Sequence, residues 1–417
     1  MSFQTTLGQT LTLPCGVTLP NRFGKSAMSE TLGTVDNHAT EELVRLYGRW
    51  ADGGTGLVIT GNIMIDQRHL GEPHNVAVEN ERDLQILKRW ADAGTRQGNH
   101  LWVQLNHPGK QIPKLLASGD TLSPSAIPFR KELSAHFKTP RALTEDEIQD
   151  IIARFARSAA IIKKAGFTGV QIHGAHGYLV SQFLSGHHNQ RTDRWGGSLE
   201  NRMRFPLEIY RAIRAAVGPE YPISIKLNSA DFQRGGFTEE ESMAVAATLA
   251  SEGLDLLEVS GGTYEAPTMS GKDVRESTLQ REAYFLEYAE KVRSRVSTPL
   301  MVTGGFRTSE GMAAAVKSGA TDIVGLARPL AVEPDLPKRI LAGESVHSVV
   351  TPRRTGIKAI DDMAMMEVVW FARQLHRMGN GKEPIRDESV LMAMIRSMSM
   401  VAVRSLRTKR MRLRANE

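Results

Sequence analysis

The chain has 417 residues, 41% hydrophobic and 24% charged, which suits one large barrel or two average domains. Its single cysteine, Cys15, excludes an internal disulfide, an iron–sulfur cluster and a cysteine zinc site. The formal charge of +6 is uneven: residues 351–417 carry a net +7 and the first 350 a net −1, a weak basis for a nucleic-acid partner, and none is expected. No stretch reaches the length of about 18 apolar residues that a membrane span needs. The N-terminus lacks the basic start and apolar core of a signal peptide, so a cytoplasmic protein is the expectation.

Leu11–Asn21 alternates apolar and polar residues and predicts a small hairpin turning at Pro14–Gly16. From there apolar runs alternate with helical spacing. Strands are predicted at 22–29, 56–60 and 101–105, with helices over 40–53 and 84–98. A long polar connection, 106–143, follows the third strand. Thr144-Glu-Asp-Glu147 is a capping box that opens a helix to about Ala165. The second half repeats the rhythm, with strands at 169–172, 223–227, 256–259, 300–303 and 322–324. Helices follow at 199–217, 239–251, 281–296, 309–318 and 333–342. Eight strand–helix units imply a parallel sheet that closes into a (β/α)8 TIM barrel of the α/β class. A doubly wound sheet loses support because no G-x-G-x-x-G follows any predicted strand.

From Thr351 the pattern becomes Met-rich, Arg-rich and helical, with helices expected at about 360–378 and 387–405 and a break near Gly379–Pro384. The expected division is a barrel domain over 1–350 and a basic helical C-terminal extension over 351–417. The methionines of the extension suit packing against the barrel or a second subunit, so a homo-oligomer is conceivable. The six basic residues between Arg404 and Arg414 suit a solvated helix end better than a membrane or nucleic-acid arm.

Chemistry concentrates between Gln171 and Arg202, where His173, His176 and Tyr178 sit at the end of the fourth predicted strand. The C-terminal ends of barrel strands are where catalytic residues collect. No acidic third ligand accompanies the two histidines, so a metal site is not expected. The pattern HGAHGYLVSQFLS, followed by Asn189, Arg191, Asp193, Gly196, Gly197, Ser198, Glu200, Asn201 and Arg202, resembles the Old Yellow Enzyme family of flavin-dependent ene-reductases. The resemblance spans about Leu11–Gly343; Gly186 departs from it, standing where the family usually has proline.

The resemblance implies a barrel that binds FMN and takes hydride from NADH or NADPH. It further implies reduction of an electron-poor alkene by hydride from flavin N5, with His173 and His176 holding the carbonyl oxygen and Tyr178 protonating the α-carbon. Two hydrogen-bond donors on that oxygen would polarise it, and neutral imidazole can serve near pH 7. Gln104 matches the family's pyrimidine-binding glutamine. Lys226 stands where many relatives carry arginine, supplying charge without the planar fork. Ser29 matches the residue that bonds flavin O4, and Ala27 and Met28 would offer backbone contacts. Asn62 falls where relatives usually place alanine against the ring, and Gly61 or Asn62 could serve. Gly304, Gly305, Gly325, Ala327 and Arg328 match the phosphate-binding ends of the last two strands. Tyr264 and Phe129 are candidate substrate-pocket walls, although ordinary loop packing is the commoner fate of such residues.

Three rivals stand beside this reading. An iron–sulfur relative is set aside by the lone cysteine. A flavin-free lyase or isomerase would use His173 and His176 on a sugar phosphate. A partner-binding scaffold would place function in the basic tail.

Overall fold

A computed structural model describes residues 2–117, 119–261, 285–351, 353 and 365–397. The predicted hairpin is present: β1 (Leu11–Thr12) and β2 (Thr18–Leu19) pair antiparallel, and Gly16 N donates to Leu13 O across the turn. Eight parallel strands form the barrel: β3 (Phe23–Lys25), β4 (Leu57–Met64), β5 (His100–Asn106), β8 (Gly169–Gly174), β9 (Ile223–Asn228), β10 (Leu256–Ser260), β11 (Leu300–Thr303) and β12 (Ile323–Leu326). β12 closes the ring on β3 by pairing Leu326 with Lys25. Two short strands outside it, β6 (Leu122–Ser123) and β7 (Arg141–Ala142), pair in parallel and fold the 106–143 connection back on itself.

The hairpin closes one mouth of the barrel. Leu13 and Leu19 pack with Leu57, Ile59, Trp102, Leu256, Met301 and Ile323, most of them from the N-terminal halves of the strands. Room for Trp102 comes from Gly169, where a Cβ would lie 2.5 Å from the indole ring. Cys15, at the hairpin turn, donates its amide to Asp255 Oδ1. Burial pushes its thiol up to about 11, which disfavours the thiolate. With the N-terminal mouth filled, the C-terminal strand ends are left for a site.

The predicted helices that carry a side-chain cap start where the sequence placed them, whereas the capped helix Phe3–Leu7 was not expected. Helix Glu145–Lys164 begins on the Thr144–Glu147 capping box and helix Glu239–Ser251 on a second box, Thr238–Glu241. Ser198 caps helix Leu199–Val217 by accepting from Asn201 N. Three expectations need correction. The first barrel strand ends at Lys25 instead of running to 29. β4 continues past Thr60 to Met64 through a register shift between Ile59 and Asn62. A helix absent from the expectation, Leu179–Leu184, follows Tyr178 directly.

Beyond the barrel, helix Met365–Gly379 lies on helix Glu41–Asp52. Arg45 Nε donates to Gly379 O at 2.7 Å, and Trp370 is fully buried with its indole N–H on Glu388 O. Its His376 reaches the segment after β3, within 2.7 Å of Glu30 O and 3.1 Å of Thr31 Oγ1. The break near 379–384 is present, and residues 390–397 are again helical; the rest of the expected second helix and the Arg404–Arg414 run lie outside the described residues. Of the methionines expected to pack, Met394 touches the core but Met392 is exposed.

Candidate active site

Strands β5, β8, β9 and β10 bring side chains to the same mouth. β8 supplies His173, and its following turn supplies His176 and Tyr178. The rings of His173 and His176 stand 5.2 Å apart at 81°, and those of His173 and Tyr178 4.7 Å apart at 68°. His173 and Tyr178 are buried. His176 holds a left-handed backbone, φ 62°, which an ordinary residue adopts only when its surroundings impose it. Asn228 Oδ1 accepts from its amide at 3.2 Å, and Gln111 Nε2 donates to its carbonyl at 3.1 Å. Its side-chain Nε2 lies 2.7 Å from Ser260 Oγ at the end of β10.

Both imidazoles are neutral at physiological pH. Burial, with the charges of His176 and Lys226 adding to it, holds His173 well below the usual histidine range. Burial and then Lys226 push His176 down to about 3. Ala175 N–H points at His173 Nδ1 from 3.4 Å, which places the ring proton on Nε2. A neutral N–H donor is what polarising a carbonyl requires.

Lys226 and Gln104 come from flanking strands. Lys226 is the register partner of His173 on one side and of Glu258 on the other. It is buried and paired with Glu258 at 3.0 Å, and it donates to Ser26 Oγ at 2.9 Å. Gln104, also buried, donates to Gln171 Oε1 at 2.8 Å. Gln171, Glu258, Ser26 and Ser260 escaped the sequence reading. For Glu258 the missed signal was a carboxylate inside the apolar strand LLEVS.

The segment after β3 borders the same mouth and has protein contacts of its own. Ser29 donates to Glu72 and stands 3.4 Å from Asn62 Oδ1. Burial holds the Glu72 carboxyl above the usual range. Ala27 packs toward the hairpin cluster and Met28 against the main core. Of the pair left open on β4, the Gly61 amide is taken by Glu30 Oε1 and Tyr47 Oη, at 2.8 and 3.0 Å. A Cβ there would lie 2.1 Å from Glu30. Asn62 is instead the register partner of Gln104.

At the ends of β11 and β12, Gly304, Gly305, Gly325, Ala327 and Arg328 line a hollow of about 30 Å³ with Arg307 at its side. Gly304 and Gly305 hold φ of 109° and 96°. At Gly325 a Cβ would lie 2.1 Å from Thr303 Oγ1, so only glycine keeps this backbone approach open. Arg328 donates to Glu367 Oε2 of the C-terminal helix at 2.8 Å. A buried cation and amide at one end, with bare backbone and two arginines at the other, form a donor set that fits FMN.

Tyr264 lies outside the described residues, so its expected place on the wall goes untested. Phe129 is buried against Phe137 and under Lys110 Nζ, which is loop packing. A larger cavity of about 410 Å³, lined by Asp66, His69, His107 and Arg141 among others, shares no lining residue with the candidate site. Among the described residues no group of three or more histidine, cysteine or acidic side chains is placed to hold a metal ion, and no helix is long and apolar enough to cross a membrane.

The family model of the NADH:flavin oxidoreductase / NADH oxidase family matches residues 11–346. An NADH-dependent flavin oxidoreductase of Talaromyces variabilis is 37% identical over 406 residues, covering 88% of this chain and 97% of that protein. The NADH oxidase of Thermoanaerobacter brockii is 34% identical and covers 78% of this chain, which spans 49% of that longer protein. Morphinone reductase in complex with tetrahydroNAD superposes with a TM-score of 0.68 at 27% identity, covering 82% of this chain and 92% of the other. An Old Yellow Enzyme homologue of Zymomonas mobilis, 24% identical with a TM-score of 0.70, covers 82% of this chain and 94% of the other and supports the fold alone. These likenesses do not favour a flavin-free lyase or isomerase. The chain belongs to the NADH:flavin oxidoreductase / NADH oxidase family and is an FMN-dependent oxidoreductase of the Old Yellow Enzyme type.

Proposed function

We propose that the protein reduces the activated C=C bond of small electron-poor alkenes: α,β-unsaturated aldehydes, ketones or nitroalkenes. The observation that carries this reading is the convergence of His173, His176 and Tyr178, with ring centroids 4.7–5.2 Å apart at one barrel mouth. Bound FMN would supply the two-electron chemistry that links the nicotinamide to the alkene. NADH is the preferred donor in this proposal, in keeping with the relatives named NADH-dependent.

His173 donates through Nε2 to the substrate oxygen, and His176 completes the clamp with Ser260 setting its ring. Tyr178 holds the proton destined for the α-carbon. It heads helix Leu179–Leu184, and the buried ring keeps water from competing. Gln104, Lys226 and Asn62 would hold the pyrimidine side of the flavin, Ala27, Met28 and Ser29 would border the ring, and the Gly304–Gly305 and Gly325–Arg328 turns would receive its phosphate.

Residues 1–350 form the catalytic unit and 351–417 an extension that self-associates. Support for the latter comes from Leu391, Met392 and Ile395, exposed among the described residues. A monomer by light scattering at working concentration would remove it.

Tyr178→Phe tests the reading directly. The variant should keep FMN and its anaerobic reduction by NADH, while alkene turnover falls by about 10²–10⁴-fold. Unchanged alkene turnover would take Tyr178 out of the mechanism.

A further inference from the structure

One buried carboxylate at the barrel mouth has no part in the roles given so far. Glu258, mid-strand in β10, is fully buried, and both its oxygens are engaged. Oε1 accepts from Ser26 Oγ at 2.5 Å and Thr303 Oγ1 at 2.7 Å, and it faces Lys226 Nζ at 3.0 Å. Oε2 accepts from Gln171 Nε2 at 2.8 Å. Gln171 Oε1 then accepts from Gln104 Nε2, also at 2.8 Å.

The ionised carboxylate can only accept, and this gives the chain of amides a direction. Gln171 must turn its NH2 toward Glu258, so its oxygen faces Gln104. Gln104 must turn its own NH2 toward Gln171. What remains for a ligand at Gln104 is one N–H and the whole of Oε1. Reversing the relay would set the Gln171 amide oxygen against the Glu258 carboxylate, two acceptors with no proton between them, so the charge on Glu258 decides which face Gln104 presents.

The same charge offsets Lys226. A buried ammonium with no counter-ion would draw electrons strongly toward any redox group beside it, whereas one paired at 3.0 Å does so far less. We propose that Glu258 is a positioning residue that orients Gln104 through Gln171 and, by balancing Lys226, holds the reduction potential of the bound flavin down. The proposal rests on the flavin reading of this mouth.

The test uses the full chain loaded with FMN, with FMN affinity read by fluorescence quenching and the midpoint potential by equilibration with a reference dye. Glu258→Gln keeps size and removes charge. Its equilibrium with the dye should move at least tenfold toward reduced flavin, about 30 mV for a two-electron couple. Gln171→Leu leaves both charges and cuts the relay, so it should weaken FMN at least tenfold with the potential close to wild type. A Glu258→Gln protein that holds FMN at a potential within twofold of wild type, on the same equilibrium scale, would refute the charge-balancing role. Unchanged FMN affinity in Gln171→Leu would refute the relay, and this arm stands on its own if Glu258→Gln does not fold. A wild-type chain that binds no FMN would instead sink the flavin reading itself.

Discussion

His176 offers a prediction whose size follows from its surroundings. Its pKa is about 3 in the fold, with burial the leading cause and Lys226 the second, against 6.5 for an ordinary histidine. Below pH 6.5 the unfolded chain therefore binds a proton that the folded chain refuses, so stability falls as the pH is lowered. Between pH 7.5 and 5.5 this one residue costs about 1.4 kcal/mol, the free energy of protonating an unfolded histidine one unit below its pKa. Asparagine is the substitution of choice, because it tolerates the left-handed φ of 62° and keeps a neutral donor without titrating. Urea unfolding can be followed by the fluorescence of Trp50, Trp90, Trp102, Trp195 and Trp370, all buried. Wild type should lose about 1.4 kcal/mol more than His176→Asn between the two pH values. Equal pH dependence would mean that His176 titrates normally, and the neutral clamp would then be wrong. The same reasoning predicts no histidine limb near pH 6.5 in alkene turnover.

Two further substitutions probe the periphery of the site. Arg328→Ala removes a charge-assisted contact to the expected phosphate and should weaken FMN about tenfold or more; an unchanged dissociation constant would assign Arg328 to Glu367 alone. Trp370→Ala should destabilise the protein by about 3–5 kcal/mol, because the indole is fully buried between the C-terminal helix and the body. Barrel unfolding at the wild-type urea midpoint would show that the extension melts separately.

The barrel was legible because its signals were local and redundant. The capping box at Thr144 set its helix start to the residue, and Leu300–Thr303 matched its strand at both ends. Helix Leu179–Leu184 was not legible, since it is buried on every side and shows no amphipathic period. The predicted strand stopped at Thr60, yet Glu30 and Tyr47 hold the Gly61 amide and carry the strand through the bulge. At the site, His173, His176, Tyr178, Gln104 and Lys226 could be named from a motif and strand ends. Their partners could not, because Ser260, Gln171 and Ser26 become neighbours only when the barrel closes. Glu258 is the exception. The rule that flagged Lys226, a charge within an apolar strand, applied to it equally.

The central claim is that this barrel mouth passes electrons from a nicotinamide to an activated alkene through FMN. Anaerobic mixing of the FMN-loaded chain with NADH should bleach the flavin absorbance, and adding a cyclic enone or a nitroalkene should restore it in proportion to the alkene consumed. A flavin that NADH bleaches but no enone, enal or nitroalkene reoxidises would contradict the account.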